Sequence, residues 1–105
     1  MLVAATLDPS RLRANAAQVA TLLGLLSNPV RLLILCRLAE VGESAAGALA
    51  TQGLSQSALS QHLARLRADG LVETRREGRS IHYRIADPRL MALMETLYRL
   101  YCEDN

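Results

Sequence analysis

Residues 54–85 read LSQSALSQHLARLRADGLVETRREGRSIHYRI, and the fold follows from how this stretch is divided. Ser55 is a helix-capping residue, and the apolar positions after it recur at helical spacing as far as Ala68, where Asp69 and Gly70 stop the run. On a helical wheel Leu59, Leu63 and Leu66 share one side and belong to a core. The opposite side holds Gln56, Ser57, Ser60, Gln61, Ala64 and Arg67. These side chains are short and polar, and they can donate and accept hydrogen bonds at base edges in a major groove. A plain amphipathic surface helix would carry more Glu and Lys. Arg65 lies at the boundary, within reach of a phosphate, and His62 falls toward the packed side.

After Gly70 the period changes from 3.6 to 2. Residues 71–76 and 80–85 read as two strands joined by a turn at Glu77, Gly78 and Arg79. Arg75, Arg76, Arg79 and Arg84 crowd this hairpin. The first three are candidates for phosphate contacts or for a minor groove, where Arg is favoured. Three or four neutralised phosphates in each subunit of a dimer predict a slope of log K against log[salt] on the order of −5 to −7.

Working outward, Asp8, Pro9 and Ser10 open a helix expected over 9–26. Ser27, Asn28 and Pro29 cap a second, over 30–40, which is apolar almost all round and so suits the centre of the molecule. Ser44 caps a short third helix expected over 45–51, ahead of the fourth at 56–68. Asp87 and Pro88 begin a last helix over 89–102. The order ααααββα is mainly helical with a small β-hairpin. It describes a winged helix-turn-helix with extra terminal helices.

The 105 residues suit one domain spanning 1–105, and half of them are apolar. The only aromatics are three tyrosines, so the core must be aliphatic. Formal charge is +2, and all twelve basic residues are Arg. The start, MLVAATLDPSRLR, lacks the pattern of a signal peptide, and no apolar run approaches the roughly 18 residues of a membrane span. These features predict a cytoplasmic protein with no membrane partner. In that compartment two cysteines are expected to be free, reactive or metal-binding rather than a permanent cross-link. No nucleophile–base–acid set or phosphate-cradling Gly loop is present, so an enzyme is not expected, and nothing calls for a cofactor.

The chain resembles the ArsR/SmtB family of bacterial repressors. The matching stretches are Ser27-Asn28-Pro29-Val30-Arg31-Leu32, Ser57-Ala58-Leu59-Ser60-Gln61-His62-Leu63, Gly70-Leu71-Val72, and Arg79 through Tyr83. The resemblance implies a homodimer that binds double-stranded operator DNA and releases it when an inducer binds. It places the dimer contacts on the first and last helices.

Metal-sensing relatives hold Cys pairs near the third helix, or Asp and His on the last. Here the third-helix region Glu43-Ser44-Ala45-Ala46-Gly47-Ala48-Leu49 has no thiol, and the last helix has no His. No residue is therefore assigned to a metal. The two cysteines, 66 positions apart, instead resemble those of the family's persulfide- and redox-responsive branch, the BigR-, SqrR- and HlyU-like repressors. The motifs are Leu33-Ile34-Leu35-Cys36 and Leu97-Tyr98-Arg99-Leu100-Tyr101-Cys102-Glu103. By that resemblance, an oxidant or reactive sulfur species links Cys36 and Cys102 through a disulfide or polysulfide, within or between subunits, and DNA is released. The alternatives are a metal-responsive member of the family and a winged-helix protein-interaction module.

Overall fold

Local chemistry at the helix ends sets the course of the chain in the computed structural model, which describes residues 8–50 and 54–102. The Asp8 carboxylate accepts from the Ser10 amide at 3.0 Å and starts α1 (Pro9–Ala14). Asn15 interrupts what the apolar spacing predicts to be one helix: its backbone leaves helical geometry at φ −106°, ψ 8°. Its side-chain amide also donates to the Arg11 carbonyl at 2.9 Å, competing for a group that the helix would otherwise use. The chain resumes as α2 (Ala16–Leu26), so the expected helix is two.

Asn28 accepts from the amides of Val30 and Arg31, and Pro29 takes the first position of α3 (Pro29–Val41). α2 and α3 meet at 96°, and Arg31 ties the corner by donating from Nε to the Leu25 carbonyl at 2.9 Å. Gly42, at φ +87°, ends α3 in a backbone region that other residues seldom enter.

The expected third helix is also different. Ser44–Ala45 form a short strand, β1, and only Ala46–Leu49 turn helically, as one 3-10 turn. Thr51, the expected end of that helix, lies outside the described residues. Ser44 and Ala45 are drawn into extended form by pairing with Tyr83 and His82. α4 (Gln56–Ala68) starts at Ser55, whose hydroxyl accepts from the Ala58 amide at 3.0 Å.

β2 (Val72–Glu77) and β3 (Ser80–Ile85) pair antiparallel, from Val72 with Ile85 to Glu77 with Ser80. The three-stranded sheet has the order β1-β3-β2. α5 (Pro88–Tyr101) closes the fold with Cys102 as its C-cap.

The core is aliphatic. Ile34, Leu35 and Leu38 of α3 are wholly buried, together with Leu66 of α4 and Leu90 of α5. α3 lies at the centre and packs on α2, α4, α5 and β3. Leu59, Leu63 and Leu66 anchor the inner side of α4 in that core, which fixes the direction its outer side faces. Among the described residues no single helix is long and apolar enough to cross a membrane.

Candidate nucleic-acid interface and thiol pair

α4 offers its outer side to solvent as the wheel predicts: Gln56, Ser57, Ser60, Gln61, Ala64, Arg65 and Arg67 are all exposed. His62 is half-buried. The 3-10 turn packs against α4, and β2 packs beside it, so the hairpin flanks the polar helix face. This is a helix with hydrogen-bonding side chains on one side and a hairpin alongside, the arrangement a groove-reading helix needs.

The arginines divide into two groups, a division the sequence does not reveal. Arg65 donates to Asp69 at 3.1 Å. Arg75 meets both carboxylate oxygens of Glu43 at 2.8 Å through Nε, and approaches Glu77 at 3.5 Å. Arg84 pairs with Glu73, its cross-strand neighbour. Arg67, Arg76 and Arg79 have no carboxylate within 4 Å among the described residues, and Arg76 donates to the backbone carbonyl of Gly78 at 3.3 Å. The candidate interface thus keeps three uncompensated guanidiniums per chain, at the end of α4 and at the hairpin tip. The Glu43 carboxyl is held below the ordinary carboxylate range, first by its hydrogen bonds from Arg75.

The two thiols lie on other elements, α3 and the end of α5. Cys36 is half-buried on α3, Cys102 is exposed at the end of α5, and both are free. α3 and α5 pack together. Burial pushes the Cys36 thiol above its usual value, and the charges of Cys102 and Glu40 push it further in the same direction. A groove of about 480 Å³ runs between the helices, lined by Cys36, Ala39, Glu40, Met94, Glu95, Tyr98 and Arg99, and leaves Cys36 approachable from solvent. Glu103 and Asp104, which the sequence places beside Cys102, lie outside the described residues.

Sequence reasoning missed one residue of this region, Glu43. Its partner is 32 positions away, and no local pattern announces the pair.

A large apolar surface is also left on the terminal helices. Leu12 is 63% exposed, Leu100 69% and Tyr101 81%. Single exposed apolar residues are ordinary, but two adjacent large ones at the end of α5 make that end a candidate for association.

Residues 28–74 match the family model described as bacterial regulatory protein, arsR family. The transcriptional activator HlyU of Vibrio cholerae is 43% identical over 105 residues, covering 99% of this chain and 96% of that protein. The structure of its reduced form superposes with a TM-score of 0.81 at 45% identity, over 89% of this chain and 98% of that one. The transcriptional repressor BigR of Xylella fastidiosa gives a TM-score of 0.83 at 39% identity, covering 93% of this chain and all of that one. A homodimeric winged helix-turn-helix DNA-binding domain from Mycobacterium bovis gives 0.71 at 38% identity, over 93% and 89% of the two chains. These relatives are regulators of transcription, not enzymes, and they share the winged helix-turn-helix seen here. The chain belongs to the ArsR family of bacterial transcriptional regulators.

Proposed function

We propose that this protein is a homodimeric repressor that reads operator DNA with α4 and the β2–β3 wing, and that it lets go when Cys36 and Cys102 become linked. Gln56, Ser57, Ser60 and Gln61 meet base edges, and Arg67, Arg76 and Arg79 grip phosphates or the minor groove. Arg65, held by Asp69, stays out of the phosphate contacts. The exposed apolar residues of α1 and α5 form the dimer contact, in keeping with the homodimeric Mycobacterium bovis relative.

The observation that carries the switch is the presence of two free thiols on α3 and α5, two helices that pack together. The exposed Cys102 reacts first, and the half-buried Cys36 resolves it. With a persulfide RSSH as oxidant, the Cys102 thiolate attacks the outer sulfur, forming Cys102–S–SH and releasing RSH. The Cys36 thiolate then attacks the inner sulfur of that group. A Cys36–Cys102 disulfide forms and hydrogen sulfide leaves, so two thiols are oxidised and one sulfane sulfur is reduced. Attack by a longer sulfur chain leaves a polysulfide bridge instead.

Linking α3 to α5 ties the central helix to a dimer helix and alters the spacing of the two reading heads, which sit about 34 Å apart on DNA. A coupling of about 1–3 kcal/mol changes operator affinity by roughly 5- to 150-fold. Intact mass of reduced and persulfide-treated protein, paired with operator affinity of the same samples, tests the reading. DNA release without any Cys36–Cys102 link refutes it.

A further inference from the structure

The Glu43–Arg75 pair does not belong to a local motif, to the core or to the thiol region. It spans the sheet. Sheet order is β1-β3-β2, and Glu43 immediately precedes β1 at one edge while Arg75 sits in β2 at the other. The pair therefore reaches across β3, whose His82 is in register with Arg75 and with Ala45, two residues after Glu43. β1 contributes only two residues to its ladder, so backbone pairing fastens this edge weakly. The contact is a fork: Nε lies 2.8 Å from each carboxylate oxygen, and a terminal guanidinium nitrogen lies 2.7 Å from Oε1. Such two-point contacts fix direction as well as distance. Glu43 is also aimed by its neighbour, since Gly42 at φ +87° turns the chain sharply out of α3.

We propose that Glu43 is a positioning residue for DNA binding: it clasps the wing through Arg75 and sets the angle between the hairpin and the α3 end of the fold, and Arg75 serves this clasp instead of a phosphate. The hairpin tip, with Arg76 and Arg79, extends beyond the core-packed base formed by Val72 and Ile85. The clasp takes hold at Arg75, three pairs beyond that base, so it fixes the part of the hairpin that carries the tip. This placement holds whether or not the thiols form a switch.

The test uses the reduced full-length protein and measures operator affinity against salt for Arg75→Gln, Arg75→Lys, Glu43→Gln and the double variant Glu43→Gln/Arg75→Gln. If the clasp is real, each single variant weakens binding by about two- to fivefold, the range of a good exposed ion pair. The double variant is no weaker than the worse single, because both changes remove one interaction. Arg75→Lys behaves like Arg75→Gln, since an ammonium cannot form the fork. The slope of log K against log[salt] stays at the wild-type value in all four. Two outcomes overturn the proposal. One is a slope shallower by nearly two units for Arg75→Gln with wild-type binding for Arg75→Lys, the mark of a phosphate contact present twice in a dimer. The other is a Glu43→Gln variant that binds as tightly as wild type or tighter. Melting temperatures of the variants, and Glu43→Asp as a milder probe that keeps the charge but shortens the reach, separate these effects from loss of the fold.

Discussion

Raising the salt concentration from about 0.05 M to about 0.2 M should weaken operator binding by on the order of 2,000-fold, and the arginine pairing of the reduced protein sets that number. Arg67, Arg76 and Arg79 face no carboxylate among the described residues, whereas Arg65, Arg75 and Arg84 are held by Asp69, Glu43 and Glu73. Three contacts per chain make six per dimer, and about 0.9 counterion released per contact gives a slope near −5. Had all six arginines reached phosphates, the dimer would make twelve contacts and the slope would be near −11. Fluorescence anisotropy on an operator duplex obtained by in vitro selection reads the slope directly. Substitution sharpens it: Arg79→Gln should flatten the slope by nearly two units, and Arg84→Gln should leave it unchanged. A wild-type slope shallower than about −3, or equal effects of Arg79→Gln and Arg84→Gln, refutes the division of the arginines.

Cys36→Ser and Cys102→Ser should each bind operator like wild type yet stay bound after persulfide treatment; normal release by either in a gel shift removes the thiol mechanism. Alkylation by iodoacetamide, followed by mass spectrometry from neutral to alkaline pH, should label the exposed Cys102 first. Cys36 should follow only at a more alkaline pH than an ordinary thiol, because burial raises its pKa. The sign for stability follows the same shift: the folded state holds the Cys36 proton more tightly than the unfolded chain, so any stabilisation persists below the ordinary thiol value and fades as pH rises through the raised one. Asn28→Ala should cost about 1 kcal/mol in chemical denaturation, since it removes the acceptor for two amides at the start of α3. Leu38→Ala, at a wholly buried site, should cost about 2–5 kcal/mol by the same measurement.

What the sequence made legible was whatever its neighbours decide. The capping residues Ser55, Asn28 and Asp87, the Leu59-Leu63-Leu66 stripe and the two-residue period of the hairpin are local signals, and α4, α3, α5 and the wing follow from them. Two elements read differently for physical reasons. Asn15 splits the first helix through a side-chain bond that hydrophobic spacing does not register. Ser44 and Ala45 favour a strand because Tyr83 and His82, nearly forty positions later, offer backbone partners. The candidate interface follows the same rule. Its polar helix face was visible at once, because it is periodic. Which arginines face carboxylates was not, because Glu43 and Arg75 meet only after the chain has folded back on itself. The strand register makes Glu73 a specific partner of Arg84, and Glu77 lies two residues along β2 from Arg75.

The paired outer face of the hairpin bears on how the protein finds its target. Contacts with phosphates hold a regulator as firmly on arbitrary DNA as on its operator, and each added contact lengthens every pause at a wrong site. A wing with all of its guanidiniums bare would be slow to leave the chromosome at large. Under the proposed reading, holding Arg75 and Arg84 against Glu43 and Glu73 would keep arbitrary binding shallow and leave the choice of stopping place to the uncharged side chains of α4.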